Sequence, residues 1–367
     1  MNFTNIPKIK LAVLGYCFSS ILFMSACAMS KAETPVITAS QPETSAAIAE
    51  SASVETSAIA EPTAAQQEAE AAAVSYDRSA EYEAVVLSND DSILGGTYTA
   101  EGDDESVLEA SGNVQASVTG AVLQKLGGSA SSADASSFRG VNAGVRVYGN
   151  AVVSLTDCEI LATAPNATGV FAYEDGVINM DNCTVNVTGG GAGGVQVAGG
   201  GTLIGQNLTV TSASKAAIRS DRGGGTLILD GGSYTATGSN GCPAIYSTAD
   251  ITVRNADCVS ENSRAVIIEG KNSVTLEDCT LTGNDQSTKE GSVRANVLLY
   301  QSASGDASVG TSVFSMTGGS MTAETGSMFH VTNVTTTIDL SSVTLISAED
   351  SDVFLSATAD SWANSGS

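Results

Sequence analysis

Histidine is almost missing from this chain: His330 is the only one among 367 residues. A single imidazole cannot build a convincing Ser-His-Asp or Cys-His site, and it leaves zinc short of ligands. Basic residues are scarce as well, with 15 Lys and Arg against 40 Asp and Glu, giving a net charge of -25 and a pI near 4.1. That balance argues against nucleic acid or an anionic membrane surface as a partner, and its ordinary consequence is solubility. Aromatic residues make up only 5%, so a core must be assembled from many thin layers of Val, Ile, Leu and Ala. No CxxC pair occurs, no window keeps a helical i, i+3, i+4, i+7 pattern, and no leucine-rich consensus appears. GGG runs at 189–191, 199–201 and 223–225 are followed by no helical pattern, so they read as turns rather than phosphate loops.

What is present is a repeated phrase. VVSLTDCEI (152–160), VINMDNCTV (177–185), TLIGQNLTV (202–210), TLILDGGSY (226–234), SVTLEDCTL (273–281) and TTIDLSSVTL (336–345) share one template of alternating apolar and polar positions followed by a small or apolar slot. The slot holds Cys158, Cys183, Leu208, Gly232, Ala256, Cys279, Gly319 and Val343, with steps of 25, 25, 24, 24, 23, 40 and 24 residues. Two positions later the side chain turns inward again, at Ile160, Val185, Val210, Tyr234, Cys258, Leu281, Met321 and Leu345. A weaker phrase precedes each of these by about eight residues, as in GVRVYGN (144–150), GVFAYEDG (169–176), AIYSTAD (244–250) and MFHVTN (328–333). Each repeat thus holds at least two strands with room for a third, and a propeller blade would need about twice the length. The expected fold is all-β, a right-handed parallel β-helix with about 24 residues per coil.

Residues 1–32 read as an export signal: Lys8 and Lys10 precede an apolar segment, 11–26, of secretory rather than membrane-spanning length. Cys27 in Met24-Ser25-Ala26-Cys27 is a candidate lipidation site, and ordinary cleavage after Ala28 or Ala32 is the competing reading. Either way the mature chain has no membrane span. Residues 33–80, rich in Ala, Glu, Ser, Thr and Pro, read as a disordered stalk, although 64–73 is locally compatible with a helix. The β-helix is expected over 81–367, starting near Tyr82, because ILGGTYTA (93–100) matches LDGGSYTA (229–236). Two insertions interrupt it, at 125–140 and, with about 16 extra residues, between Asn284 and Asn296. Solenoid insertions usually emerge as surface loops. The ending at Ser367 in mid-coil suggests a fragment of a longer protein, with an early natural stop as the alternative.

GVNAGV (140–145), AIRSDRGGGTLILDGGSYTATG (217–238), AIYSTADITV (244–253) and EGKNSVTLEDCTLTG (269–283) resemble bacterial adhesin-like surface proteins with a right-handed parallel β-helix of pectin-lyase-like fold. The resemblance spans roughly 91–367. It implies fold and an exported, cell-surface location, and offers no catalytic motif to carry over.

Candidate chemistry is therefore sought on the surface. On the weaker-phrase strand Arg146, Tyr148, Phe171, Tyr173, Gln196, Arg219, Asp221, Tyr246, Thr248, Glu269 and Tyr300 should alternate outward. Arg146, Tyr148, Tyr173, Arg219, Asp221, Tyr246, Glu269 and Tyr300 form the candidate binding strip, since planar rings beside charges on a rigid ladder suit sugars. Packing preference on strands accounts for the same residues without function. Asp221 and Glu269, with Arg219, Arg222 and Lys271 near, are the carboxylates a polysaccharide-cleaving enzyme would need, but two coils apart they sit about 10 Å from each other, loose for shared calcium. His330 is expected inward. Cys158, Cys183, Cys242, Cys258 and Cys279 read as buried apolar residues, with a Cys158–Cys183 disulfide open as an alternative. The function expected is a surface-attached protein contacting glycans or other cell-surface ligands without catalysis, cofactor or metal. A polysaccharide lyase or hydrolase and a purely structural spacer are the alternatives.

Overall fold

The computed structural model describes residues 2–6, 9–13, 74–239, 242–288 and 292–359. Cys27 and nearly all of the Ala/Glu/Ser/Thr/Pro stretch lie outside the described residues. The repeats form a parallel β-solenoid of about 11 turns with roughly 25 residues per coil, and 53% of the chain is strand. Each full coil contributes three strands. In one coil these are Val145–Tyr148, Val152–Thr156 and Glu159–Ala162, paired in register and in parallel with Val170–Tyr173, Val177–Asp181 and Thr184–Val187 of the next. The first strands stack into an 11-stranded sheet, and the second and third share a 21-stranded one. Two continuous strands, Gly201–Ser212 and Gly225–Ser239, join those two columns. At about 4.8 Å per coil the stack rises about 50 Å. Strands Asn2–Ile6 and Ile9–Val13, within the segment read as an export signal, pair antiparallel with Val343–Ile346 and Thr335–Ser341.

Alternation within each strand fills the interior. Val153, Leu155, Ile160, Ile178, Val185, Leu203, Val210, Leu227 and Ile251 are among the residues closed off from solvent, each adding roughly 1.5–3 kcal/mol of hydrophobic stabilisation. Because every coil touches only its neighbours, these contributions accumulate along the axis. Cys158, Cys183, Cys242, Cys258 and Cys279 are all buried free thiols, so the disulfide alternative is not formed. Lys125 also points inward, stacked between Ala100 and Ala162, and its ammonium donates 2.7 Å to the Gly102 carbonyl.

The corner between second and third strands explains why the phrase recurs. The residue before each slot has a left-handed backbone: Asp157, Asn182, Asn207, Gly231, Asn255, Asp278, Gly318 and Ser342 all have φ between 50° and 73°. Asn, Asp and Gly tolerate that region far better than other residues, and a corner side chain can bridge to the corner of the preceding coil or to the residue beside it. Asn182 donates to Asp157 at 2.6 Å and Asn255 to Asp230 at 2.8 Å. At Gly232 and Gly319 the slot itself is left-handed, with φ of 94° and 70°, so these two positions are corner residues rather than inward apolar ones.

Two further expectations need correction. His330 is not inward: Phe329 and Val331 take the inward positions, and His330 falls in register with Leu298 and Ser356 on the opposite face. The extra length of the long repeat is not confined to 284–296. It is divided between 284–294, ahead of Ala295–Tyr300, and 301–310, ahead of Thr311–Thr317.

Candidate functional site

The first-strand column does turn alternate side chains away from the interior as expected. Register places Arg146, Phe171, Gln196, Arg219 and Tyr246 in one outward file, and Tyr148 with Tyr173, and Glu269 with Tyr300, in a second. That face is not open to solvent. Phe171 and Gln196 are fully buried, and Asp221, Thr248 and Glu269 are 2%, 4% and 1% exposed. Both insertions fold back over it.

The first insertion contains the one helix among the described residues, α1 (Ala133–Arg139). Its ends are chemically defined: the Ser132 side chain accepts from the Ala135 amide at 3.0 Å, and Gly140 closes the C-terminus with φ of 67°. A Cβ at Gly140 would lie 2.4 Å from the Phe171 ring, so only glycine lets the helix sit this close. The underside of the helix is tied to the column by polar contacts. Gln196 donates to the Ser137 carbonyl at 2.8 Å, Lys215 Nζ meets Ser137 Oγ at 2.5 Å, and Arg146 Nε donates to the Arg139 carbonyl at 2.8 Å. Burial, then the nearby Arg219 charge, pushes Lys215 down to about 8.

Beneath this roof the strip separates into two clusters. In the first, the Arg146 guanidinium lies 4.2 Å from the Tyr148 ring centre, and both residues reach Glu109, at 3.2 and 3.0 Å. In the second, Arg219 bonds one oxygen of Asp221 through Nε and Nη2, at 3.0 and 2.7 Å, while stacking 4.4 Å over the Tyr246 ring. Tyr246 and Tyr300 then donate to the same Glu269 oxygen at 2.6 and 2.9 Å. Ser302 and Ser304, from the 301–310 loop, reach its other oxygen. Desolvation drives both phenols upward, Tyr246 well above its ordinary value, so they act as hydrogen-bond donors and not as bases at neutral pH. Asp221 and Glu269 each have their own protein partners, and neither stands as a free acid or base.

A cleft of about 430 Å³ opens along this face, lined by Asp134, Phe138, Arg139, Tyr173, Gly199 and Arg222. Of the strip predicted from sequence it includes Tyr173 alone. The Tyr173 ring passes over Gly199, where a Cβ would meet it at 2.6 Å, and this is what the second GGG run provides. Arg222 stacks 4.0 Å from the Phe138 ring centre, and Arg139 is exposed. Phe138, Arg139, Asp134, Glu109 and the loop residue Asp306 escape a reading based on repeats. For the helix residues a signal was available, since Ser132, Asp134 and Gly140 spell a helix start, an acidic first turn and a stop. Among the described residues no group of His, Cys, Asp and Glu could hold a metal ion, and no helix is long and apolar enough to cross a membrane. No family profile, no curated protein and no solved structure matches this chain.

Proposed function

We propose that this chain is an exported, envelope-attached β-solenoid that contacts a glycan without catalysis, in the manner of the adhesin-like β-helix proteins of pectin-lyase-like fold that its sequence resembles. Cys27 would carry a lipid anchor or be removed with the leader. The observation supporting the reading is the cleft beside α1. It offers two aromatic rings, Phe138 and Tyr173, two guanidiniums, Arg139 and Arg222, and one carboxylate, Asp134, around a hollow of about 430 Å³, within the range of small-ligand sites. Rings accept the apolar face of a sugar, and the charged groups accept or donate to its hydroxyls. The face beneath the roof then serves as scaffold, fixing α1 through Arg146 of the strip and through its neighbours Gln196 and Lys215. A glycan array probed with wild type and with Tyr173→Ala tests this, with an unchanged melting curve as the control for folding. Loss of signal in the variant is expected, and equal signals, or none from wild type, would remove the cleft from consideration.

A polysaccharide-cleaving enzyme is the second reading, favoured by the concentration of Arg219, Asp221, Tyr246, Glu269 and Tyr300 in one network. Unsaturated products absorbing in the ultraviolet after incubation with acidic polysaccharide and calcium would establish it. Two phenols held protonated, Tyr246 and Tyr300, and internally paired carboxylates weigh against it.

A further inference from the structure

One of the two guanidiniums that line the cleft, Arg222, is already paired with an anion belonging to the chain itself. Asp306, on the 301–310 loop, accepts through one oxygen from Nε and Nη2 of Arg222, at 2.8 and 2.6 Å. The side chains of this pair are 53% and 21% exposed. An ion pair so open to water is held by a factor of only about two to five, so it can exchange for an anion from outside. Arg139 lines the same hollow and makes no ion pair among the described residues. The guanidinium that Asp306 occupies is the one stacked on Phe138, which keeps its fork oriented whichever anion it holds.

We propose that Asp306 is a built-in competitor for an anionic ligand, and that the ligand is a sulfate ester on a sugar ring. This rests on the glycan reading above and names its class. A planar carboxylate is satisfied by one guanidinium fork. Two guanidiniums line one cleft, Arg139 and Arg222, with the Asp134 carboxylate beside them, and more than one fork suits a tetrahedral group whose three terminal oxygens lie in more than one plane. Charge selects within the tetrahedral groups. The chain carries -25 overall, and a phosphate monoester brings nearly two negative charges at neutral pH, whereas a sulfate ester brings one. Guanidinium, being weakly hydrated, gives up little water to meet such an anion. Phe138 and Tyr173 supply the surfaces for the ring that carries it.

The test is a panel of oligosaccharides in matched sets, each sulfated member beside its desulfated, carboxylated and phosphorylated counterparts, titrated against the full chain. The sulfated members should bind most tightly. Asp306→Asn should tighten that binding about two- to five-fold by removing the competitor, and Arg222→Lys, which keeps the charge but loses the fork, should weaken it about ten-fold or more. A role of Asp306 confined to holding the loop would give the opposite sign in Asp306→Asn, so unchanged or weaker binding there overturns the competitor. Equal or tighter binding of the carboxylated or phosphorylated member overturns the sulfate assignment. Equal binding of the desulfated member overturns the anion site but leaves the glycan reading standing, and no binding by any member overturns both.

Discussion

Asn255 offers the sharpest test of why this chain repeats. It sits at the left-handed corner with φ of 50°, exposed, its side-chain amide 2.8 Å from Asp230 of the preceding coil. Both Asn255→Ala and Asn255→Gly delete that bond, at a net cost of roughly 0.5–1.5 kcal/mol. They differ in what they do to the backbone. Alanine pays a left-handed penalty of about 1–2 kcal/mol that glycine avoids, while glycine loses about 0.4–1 kcal/mol by loosening the unfolded chain. The balance leaves the alanine variant less stable than the glycine variant by about 0.5–1 kcal/mol. Ser342 has φ of 58° in the equivalent corner, so the same reasoning predicts that Ser342→Gly stabilises, by about 0.5 kcal/mol. Urea unfolding followed by far-ultraviolet circular dichroism reads both differences. If Asn255→Ala matches or exceeds Asn255→Gly, the corner is not selected for backbone conformation and the account of the repeat fails.

Three other expectations follow from the covered face and the core. Arg219→Ala strands Asp221, whose side chain is 3% exposed, and should cost about 3–5 kcal/mol. Arg254→Ala, which breaks an exposed pair with Glu277, should change stability by less than about 1 kcal/mol, and thermal melts of the two variants side by side would expose an error in either. Lys215 titrates near 8 when folded and near 10.5 when unfolded, so between those values the unfolded chain binds more protons and stability should rise with pH. The groups facing it are Ser137, Arg219, Asp221 and Asp134, and Lys215→Met should flatten the rise seen in urea midpoints between pH 8 and 10. A chain beginning after residue 32 should show five thiols to a charged thiol reagent in denaturant and almost none when native, since all five are buried. A count of three would mean that a disulfide such as Cys158–Cys183 had formed.

The solenoid was legible in the sequence because its cause is periodic. Inward positions such as Ile160, Val185 and Cys258 recur with the coil, and the coils stack them in register. The corner was legible in the same letters, Asp157, Asn182, Asn207 and Asn255, although the slot beside it is the more conspicuous feature. Parity was harder where a phrase is short. MFHVTN admits two alternations, and the bulk of Phe329 rather than the rarity of His330 decides which side chain enters the core. What the repeat could not disclose is the fate of its interruptions. Alternation says that Arg219, Tyr246 and Glu269 leave the interior, but exposure also depends on chain from other coils. Ser137 arrives from 78 residues before Lys215, and Ser302 from 33 residues beyond Glu269.

That arrangement changes what a β-helix of this composition can be used for. An uncovered ladder presents the same surface at every turn, and repetition alone gives it no particular place to bind. Here α1 and the 301–310 loop come from opposite ends of the stack and meet where Arg222 touches both Phe138 and Asp306. The acids and tyrosines beneath them, buried among their own partners, give the roof a fixed footing that a flexible loop would lack. A chain with so few basic residues has placed two arginines and two aromatic rings at that junction. On the glycan reading proposed above, specificity would reside where the repeat is broken, and substitutions in the interruptions should alter ligand choice while substitutions in the coils alter stability.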